Sequence, residues 1–251
     1  MNIKISIITV CRNSSAFLEE TIKSVVTQTY PDIEYIIIDG KSTDSTIDII
    51  RKYSSHISYW ISEEDKSMYD AINKGLKAAT GDYILILNSD DKLANESVIE
   101  RVATEIKKER FDYYYGNIIK LKKNKPVPVK LFQVNYWQLL YSTHGSFVHH
   151  PCFFISAKLN RQLKEYDLQY KYASDYDYIL RALNTEGATG KHLNIYTTVF
   201  RFHENSITAS GKIDSERKNI LLAHGYYRLS PLKRRIYFYM LWGYYKMINL
   251  V

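Results

Sequence analysis

Cysteine is nearly missing from this chain: Cys11 and Cys152 are the only two in 251 residues. Two are too few for a disulfide framework, and they lack the close paired spacing of a structural zinc site, so a reducing compartment is expected. No run reaches the roughly 20 apolar residues needed to cross a bilayer; the longest candidate, 236–251, contains Lys246. A secretory leader is not expected, because the apolar run Ile3–Val10 is short, holds Lys4 and Ser6, and continues into Arg12 and Asn13. The turn Gly-x-Gly-x-x-Gly is absent, as is Gly-x-x-x-x-Gly-Lys-Ser/Thr. Their absence removes the defining phosphate contacts of a dinucleotide-binding dehydrogenase and of a P-loop nucleotidase. There is no internal repeat and no low-complexity segment. Acidic residues thin out at one end: from Lys212 onward eight Lys and Arg face only Asp214 and Glu216, a local charge of +6 out of +7. Basicity confined to one end argues against nucleic-acid binding, and an anionic membrane surface is the competing partner.

What is present suits a packed globular enzyme, with 45% hydrophobic and 24% charged residues. The first half alternates strand and helix patterns: Ile3–Val10, a helix over 16–28, Ile33–Ile38, a helix over 44–53, Ile57–Ile61, a helix over 68–79, and the apolar strand Tyr83–Leu87. This order predicts a mainly parallel sheet flanked by helices. Ser14 or Ser15 can cap the first helix, Ser42 or Thr43 the second, and Gly81 can close the one that follows Met68. Later come a strand with Tyr113–Tyr115, a Lys/Pro-rich turn over 122–128, a strand near 129–133 in antiparallel pairing, a helix over 174–185 and a strand over 194–202. The expected division is a domain over 1–211, with a nucleotide-binding half over 1–110 and an acceptor half over 111–211, followed by a basic, aromatic helical extension over 212–251.

Open α/β sheets bind ligands outside the carboxyl ends of their strands. Four such ends carry polar clusters: Thr9 to Asn13, Asp39 to Ser42, Ser62 to Lys66, and Asn88 to Asp91. Asp90 and Asp91 directly follow an apolar strand, where adjacent carboxylates suit a hard divalent cation paired with a diphosphate. Taken alone, the pair is as well explained by capping and by a favourable charge at a helix start. Asp39 before Gly40 can accept from a base or a ribose hydroxyl, or can organise an Asx turn. Arg12, Asn13, Lys41 and Lys66 can meet phosphates or simply be solvated.

Their joint order is more specific. The runs Ile5–Asn13, Ile36–Thr46, Asp65-Lys-Ser-Met-Tyr-Asp-Ala-Ile-Asn-Lys-Gly75 and Gly81–Asp91 together resemble the family 2 inverting glycosyltransferases, and the third looks most like the colanic-acid type of surface-polysaccharide branch. The resemblance is strong over roughly the first 90 residues. It implies a GT-A fold, a nucleotide diphosphate sugar donor, with UDP favoured, and a divalent metal, Mn²⁺ or Mg²⁺. By resemblance Thr9 and Asp39 hold base and ribose, and Arg12, Asn13, Asp65, Lys66, Asn73, Asn88 and Asp90 belong to the nucleotide-sugar site. Asp90, Asp91 and His203 are the metal candidates. Asn88 departs from the family, many of whose members carry an aspartate there. Inverting transfer also needs a general base beside the acceptor hydroxyl. The segment Ala173-Ser-Asp-Tyr-Asp-Tyr178 resembles the family's Glu-Asp segment, with Asp175 at the base position and Ser174 in place of Glu; a helix cap is the alternative for Asp175. His149 and His150 are further polar candidates, and the tyrosines around Asp175 suit a sugar acceptor. The basic aromatic tail suits either an anionic bilayer carrying a lipid-linked acceptor or packing on its own domain or a second subunit. A cytoplasmic, peripherally membrane-bound enzyme is expected. A non-catalytic nucleotide-sugar or glycan-binding module is the alternative.

Overall fold

A computed structural model describes residues 2–122, 125–141, 148–202 and 213–249. In the first half β1 (Ile5–Cys11), β2 (Ile33–Asp39), β3 (Tyr59–Ser62) and β4 (Tyr83–Ile86) pair in parallel in the order β3-β2-β1-β4. Helices α1 (Leu18–Val26), α2 (Thr46–Lys52) and α3 (Met68–Ala78) connect them. Strand period explains the layering. Ile5, Ile7, Tyr35, Ile37, Tyr83 and Leu85 point to one face, where they pack with α1, α2 and α4 (Val98–Lys108). Ile8, Ile36, Ile38, Ile84 and Ile86 point to the other and meet α3. Both faces are covered, as a parallel sheet requires.

The second half extends the same sheet. Past β4 the order continues β8 (Phe153–Ser156), β6 (Tyr113–Lys122), β9 (Gly190–Phe202), β5 (Lys92–Leu93), with β8 antiparallel to both β4 and β6. The expected hairpin after Tyr115 exists, but its return strand lies earlier: β7 (Lys125–Val129) pairs antiparallel with β6 and includes Pro126 and Pro128. Prolines are tolerated there because β7 pairs only with β6, leaving an edge where no ladder N–H is needed. Helices α5 (Tyr136–Tyr141), α6 (Ala157–Leu163), α7 (Ser174–Asn184), α8 (Ile213–Ala223) and α9 (Pro231–Asn249) complete the chain. Ile220, Leu221 and Leu241 share the core cluster of the α3 face, so the residues beyond 212 join the main body.

Two glycines are explained by close approach. A Cβ on Gly75 would lie 2.4 Å from Ile8 Cγ2, so α3 rests directly on β1. Gly81 does not close a helix. A Cβ there would lie 2.7 Å from Ser6 N and 2.9 Å from Lys4 O, and Gly81 N–H donates to Ser6 Oγ. The expected caps are also used differently. Neither α1 nor α2 has a side-chain cap; Ser14 offers its carbonyl to Phe17 and Leu18, and Asp44 accepts from Thr46 N–H.

Candidate active site

A cavity of about 820 Å³ opens at the carboxyl ends of β1, β2, β3 and β4, where the strand order reverses around β1. Its size suits a small-molecule substrate, and the second half closes its far wall.

The loop after β4 is held from three sides. The Thr21 hydroxyl of α1 lies 2.9 Å from Ser89 O and 2.6 Å from Asp91 O. Ser89 Oγ donates to Ser14 Oγ, and from β9 the Arg201 Nε–H donates to Asp90 O while its guanidinium meets Glu20 at 3.0 Å. This clamping separates the two carboxylates. Asp90 lines the cavity, whereas Asp91 is 1% exposed, accepts from Arg201 N–H at 3.0 Å and lies 3.5 Å from Asn88 Nδ2. Burial, reinforced by the Asp90 charge, pushes the Asp91 carboxyl well above the usual carboxylate range. The expectation that both carboxylates face one cation is therefore corrected: Asp91 is turned into the protein by its bond to β9. Asn88 also lines the cavity, and its Oδ1 is buried without a hydrogen-bond partner.

Of the other sequence candidates, Arg12, Asn13, Asp65, Lys66 and Asp175 line the same cavity. Asn13 adopts φ 49° and bridges to the next loop, its N–H donating to Ser42 Oγ and its Oδ1 accepting from Thr43 N–H. Asp65 accepts from Lys74 at 2.6 Å, yet burial keeps its carboxyl above the ordinary value. Three candidates lie outside the cavity wall. Thr9 falls on the strand face of Ile5 and Ile7, fully buried, and accepts from the Tyr35 hydroxyl. Asp39 is fully buried and accepts from Ser42 N–H, Ser42 Oγ and Ser62 Oγ, so it organises the turn that presents Gly40 to the cavity. Asn73 spans the backbone of Tyr166, donating to its carbonyl at 3.0 Å and accepting from its N–H at 2.8 Å, which ties α3 to the second half. His203 lies outside the described residues.

On the opposite wall Asp175 is the second residue of α7, whose N-cap is Ala173. It is not the cap. Its Oδ1 accepts from the Tyr69 hydroxyl of α3 at 3.0 Å and from Tyr176 N–H at 2.9 Å. Tyr69 stacks on Tyr166 (5.8 Å between centroids) and Tyr166 on Tyr178 (4.0 Å), while His150 Nε2 meets the Tyr166 hydroxyl at 2.7 Å. Tyr166, Tyr170 and Tyr178 are thus buried packing residues, and Tyr172 and Tyr176 are the tyrosines of that group in the cavity wall. Asp177 faces away, bound to Arg181 at 2.7 Å and His224 at 2.9 Å, partners that hold its carboxyl below the usual value despite burial. Sequence reasoning missed Tyr69 as the partner of Asp175, although it lies four residues after Asp65 inside a quoted motif. It also missed Lys120 and Arg201, which the pairing of β6 with β9 brings to the wall, and Arg217 of α8.

The donor chemistry suits a hard cation. Among the described residues no group of three or more His, Cys, Asp or Glu could enclose a metal. Asp90 and the unpartnered Asn88 Oδ1 instead offer a few oxygen atoms at an open rim. Mg²⁺ and Mn²⁺ are held in this manner, by one or two protein oxygens completed by water and substrate phosphate.

The glycosyl transferase family 2 model matches residues 6–163. A PGL/p-HBAD biosynthesis glycosyltransferase of Mycobacterium bovis is 28% identical over 194 residues, covering 76% of this chain and 73% of the relative. A putative teichuronic acid biosynthesis glycosyltransferase of Bacillus subtilis, TuaG, is 40% identical over 93 residues, 35% of this chain and 36% of the relative. Among solved structures, S. aureus TarS 1–349 in complex with UDP-GlcNAc superposes with a TM-score of 0.74 at 18% identity, over 98% of this chain and 73% of that one. The mannosyltransferase PcManGT from Pyrobaculum calidifontis, in complex with GDP-Man and Mn²⁺, gives 0.68 at 14% identity, over 99% and 71%. The architecture is the GT-A fold expected from the sequence.

Proposed function

Because the chain belongs to glycosyl transferase family 2, we propose that it moves a sugar from a nucleotide diphosphate sugar to an acceptor hydroxyl with inversion, Asp175 serving as general base. The observation that carries this reading is that one cavity joins the Asp90 loop of the first half to Asp175 of the second. A donor held at the strand ends and an acceptor beside α7 would then meet between two carboxylates with separate roles. Tyr69 and the Tyr176 N–H both bond Oδ1 and orient the carboxylate. Oδ2 is thereby left to take the acceptor proton as the hydroxyl attacks the anomeric carbon opposite the departing diphosphate. Asp90 and Asn88 would hold Mn²⁺ or Mg²⁺, which when bound neutralises charge on the leaving diphosphate. Asp91 positions that loop through Arg201. Arg12, Asn13, Asp65 and Lys66 line the donor end. Complexes of TarS with UDP-GlcNAc and of PcManGT with GDP-Man support a nucleotide-sugar donor. The PGL/p-HBAD biosynthesis glycosyltransferase and the putative teichuronic acid biosynthesis glycosyltransferase among the relatives support a saccharide-bearing acceptor of a polysaccharide or related pathway. The test is a panel of UDP- and GDP-sugars, with and without Mn²⁺ or Mg²⁺, read by thermal shift and slow donor hydrolysis. A response to one donor that needs the cation is expected; silence toward every nucleotide sugar would end this reading.

Helix α9 favours an anionic membrane surface as a further partner. Its inner stripe, Arg234, Phe238, Leu241, Tyr245 and Ile248, faces the body, with Leu241 buried and Arg234 stacked over Tyr226 and Tyr227. Its outer side presents Leu232, Ile236, Tyr239, Met240, Trp242 and Met247 at 42–70% exposure. Lys233, Arg235 and Lys246 accompany them without an acidic residue anywhere in the helix. Among the described residues no helix is long and apolar enough to cross a membrane. A second copy docked on this face would bring cation against cation, whereas anionic headgroups supply the missing charge and the acyl boundary takes the side chains. The parent chain is expected to co-sediment with phosphatidylglycerol vesicles at least tenfold better than with phosphatidylcholine vesicles. Leu232→Ser, Ile236→Ser and Met240→Ser together should abolish the difference. Equal retention by both vesicle types, or a concentration-dependent dimer lost in the triple variant, would defeat the idea.

A further inference from the structure

The cavity wall contains two half-buried basic groups that the proposed transfer does not use. Lys120 stands on β6 in register with Phe200 of β9, half-buried at the cavity wall, and its ammonium has no hydrogen bond or ion pair among the described residues. Its charge is felt by His149, whose ring lies 6.2 Å from Phe200 and whose Nε2 is buried without a hydrogen-bond partner. Residue 201, the next on β9, holds the Asp90 loop, so this pair stands one strand away from the donor end. Burial lowers the basicity of both groups, taking the His149 imidazole down to about 3 and the Lys120 ammonium below its ordinary value. No group among the described residues offsets that cost. The buried Asp177 carboxylate, by contrast, is matched by Arg181 and His224, and Asp65 is matched by Lys74. An ammonium and an imidazole nitrogen without partners among the described residues, both in the cavity wall and both flanking Phe200, are complementary to an anion with several oxygens. It can take an N⁺–H···O⁻ bond and a neutral N–H···O bond from the two side chains.

We propose that Lys120 and His149 form a binding corner for a substrate phosphate in the cavity wall beside the Asp90 loop. The inference rests on the reading of this cavity as the substrate site. A phosphate could reach the corner from the donor diphosphate or from an anionic acceptor, and one experiment separates the two. UDP, GDP, inorganic pyrophosphate and inorganic phosphate are titrated by calorimetry into the parent chain, Lys120→Met and His149→Phe. Phosphate is titrated a second time over saturating nucleotide. If the corner holds the donor diphosphate, Lys120→Met should weaken the nucleotide and pyrophosphate ten- to a hundredfold, and phosphate should add nothing once the nucleotide is bound. If it holds an acceptor phosphate, phosphate should bind on top of the nucleotide, and Lys120→Met should remove that second event while leaving nucleotide affinity unchanged. His149→Phe should shift the same event in the same direction by a smaller factor. Met replaces an unpaired, partly desolvated ammonium, so the variant is expected to melt no lower than the parent, which separates lost binding from lost folding. The inference is overturned if both variants bind every probe as the parent does, or if the parent binds none of them. A parent that binds phosphate through Lys120 but no nucleotide would sink the donor reading and leave this one standing.

Discussion

Asp175→Asn is expected to lower transfer by about 10²–10⁴-fold while nucleotide affinity stays within about twofold of the parent. The substitution isolates the chemistry because an asparagine carbonyl can still accept from the Tyr69 hydroxyl and from Tyr176 N–H, the two bonds that fix the side chain. The cavity wall and the start of α7 should therefore be unchanged, and only the capacity to take a proton is lost. Steady-state transfer to the acceptor and calorimetric titration of the donor nucleotide measure the two quantities separately. A rate within tenfold of the parent would move the base elsewhere. Equal loss of binding and turnover would make Asp175 a structural residue of the wall.

The second large effect separates the neighbouring carboxylates. Asp90→Asn is expected to weaken Mn²⁺ binding by about 100-fold or more in the presence of nucleotide, because it removes the aspartate from the open rim. Asp91→Asn should weaken it by about tenfold at most, since an amide oxygen can still accept from Arg201 N–H and keep the loop in place. The two should also differ in stability. The folded-state pKa of Asp91 is raised, so the folded chain holds that proton more tightly than the unfolded chain, for which the ordinary value is 3.8. The resulting penalty is absent below pH 3.8 and grows as pH rises above it. Asp91→Asn should thus melt as high as the parent or higher at neutral pH, with the advantage vanishing near pH 3.8. Manganese titration and melting curves across pH check both claims. A collapse of metal affinity in Asp91→Asn with Asp90→Asn unaffected would reverse the assignment.

How far the sequence speaks depends on the range of the interaction concerned. The strands β1, β2 and β4 are legible because each is a short apolar run ended by polar residues, and the cavity at their carboxyl ends follows from parallel pairing. The family motifs point to Asp90 and Asp175, and both residues line that cavity. Thr9 was open to correction from sequence alone, since alternation puts it with Ile5 and Ile7 on the helix-covered face. Asp91 and Asn73 were not, because their partners Arg201 and Tyr166 lie 110 and 93 residues away. Lys120 comes to stand beside Phe200 only through the pairing of β6 with β9, which no local pattern announces. The serines read as helix caps illustrate a different loss: Ser14 bonds Ser89, and Ser42 bonds Asp39 and Asn13, so local capping gives way to joining the loops of the site.

The anchoring of Asp91 to Arg201, with β5 pairing only to β9, also sets an order of events during synthesis. The loop that carries Asp90 precedes its β9 support by 110 residues, so during synthesis that support is missing until Arg201 has been added. A growing chain therefore carries the Asp90 loop in an unfinished setting until its late strand β9 is made and can pair.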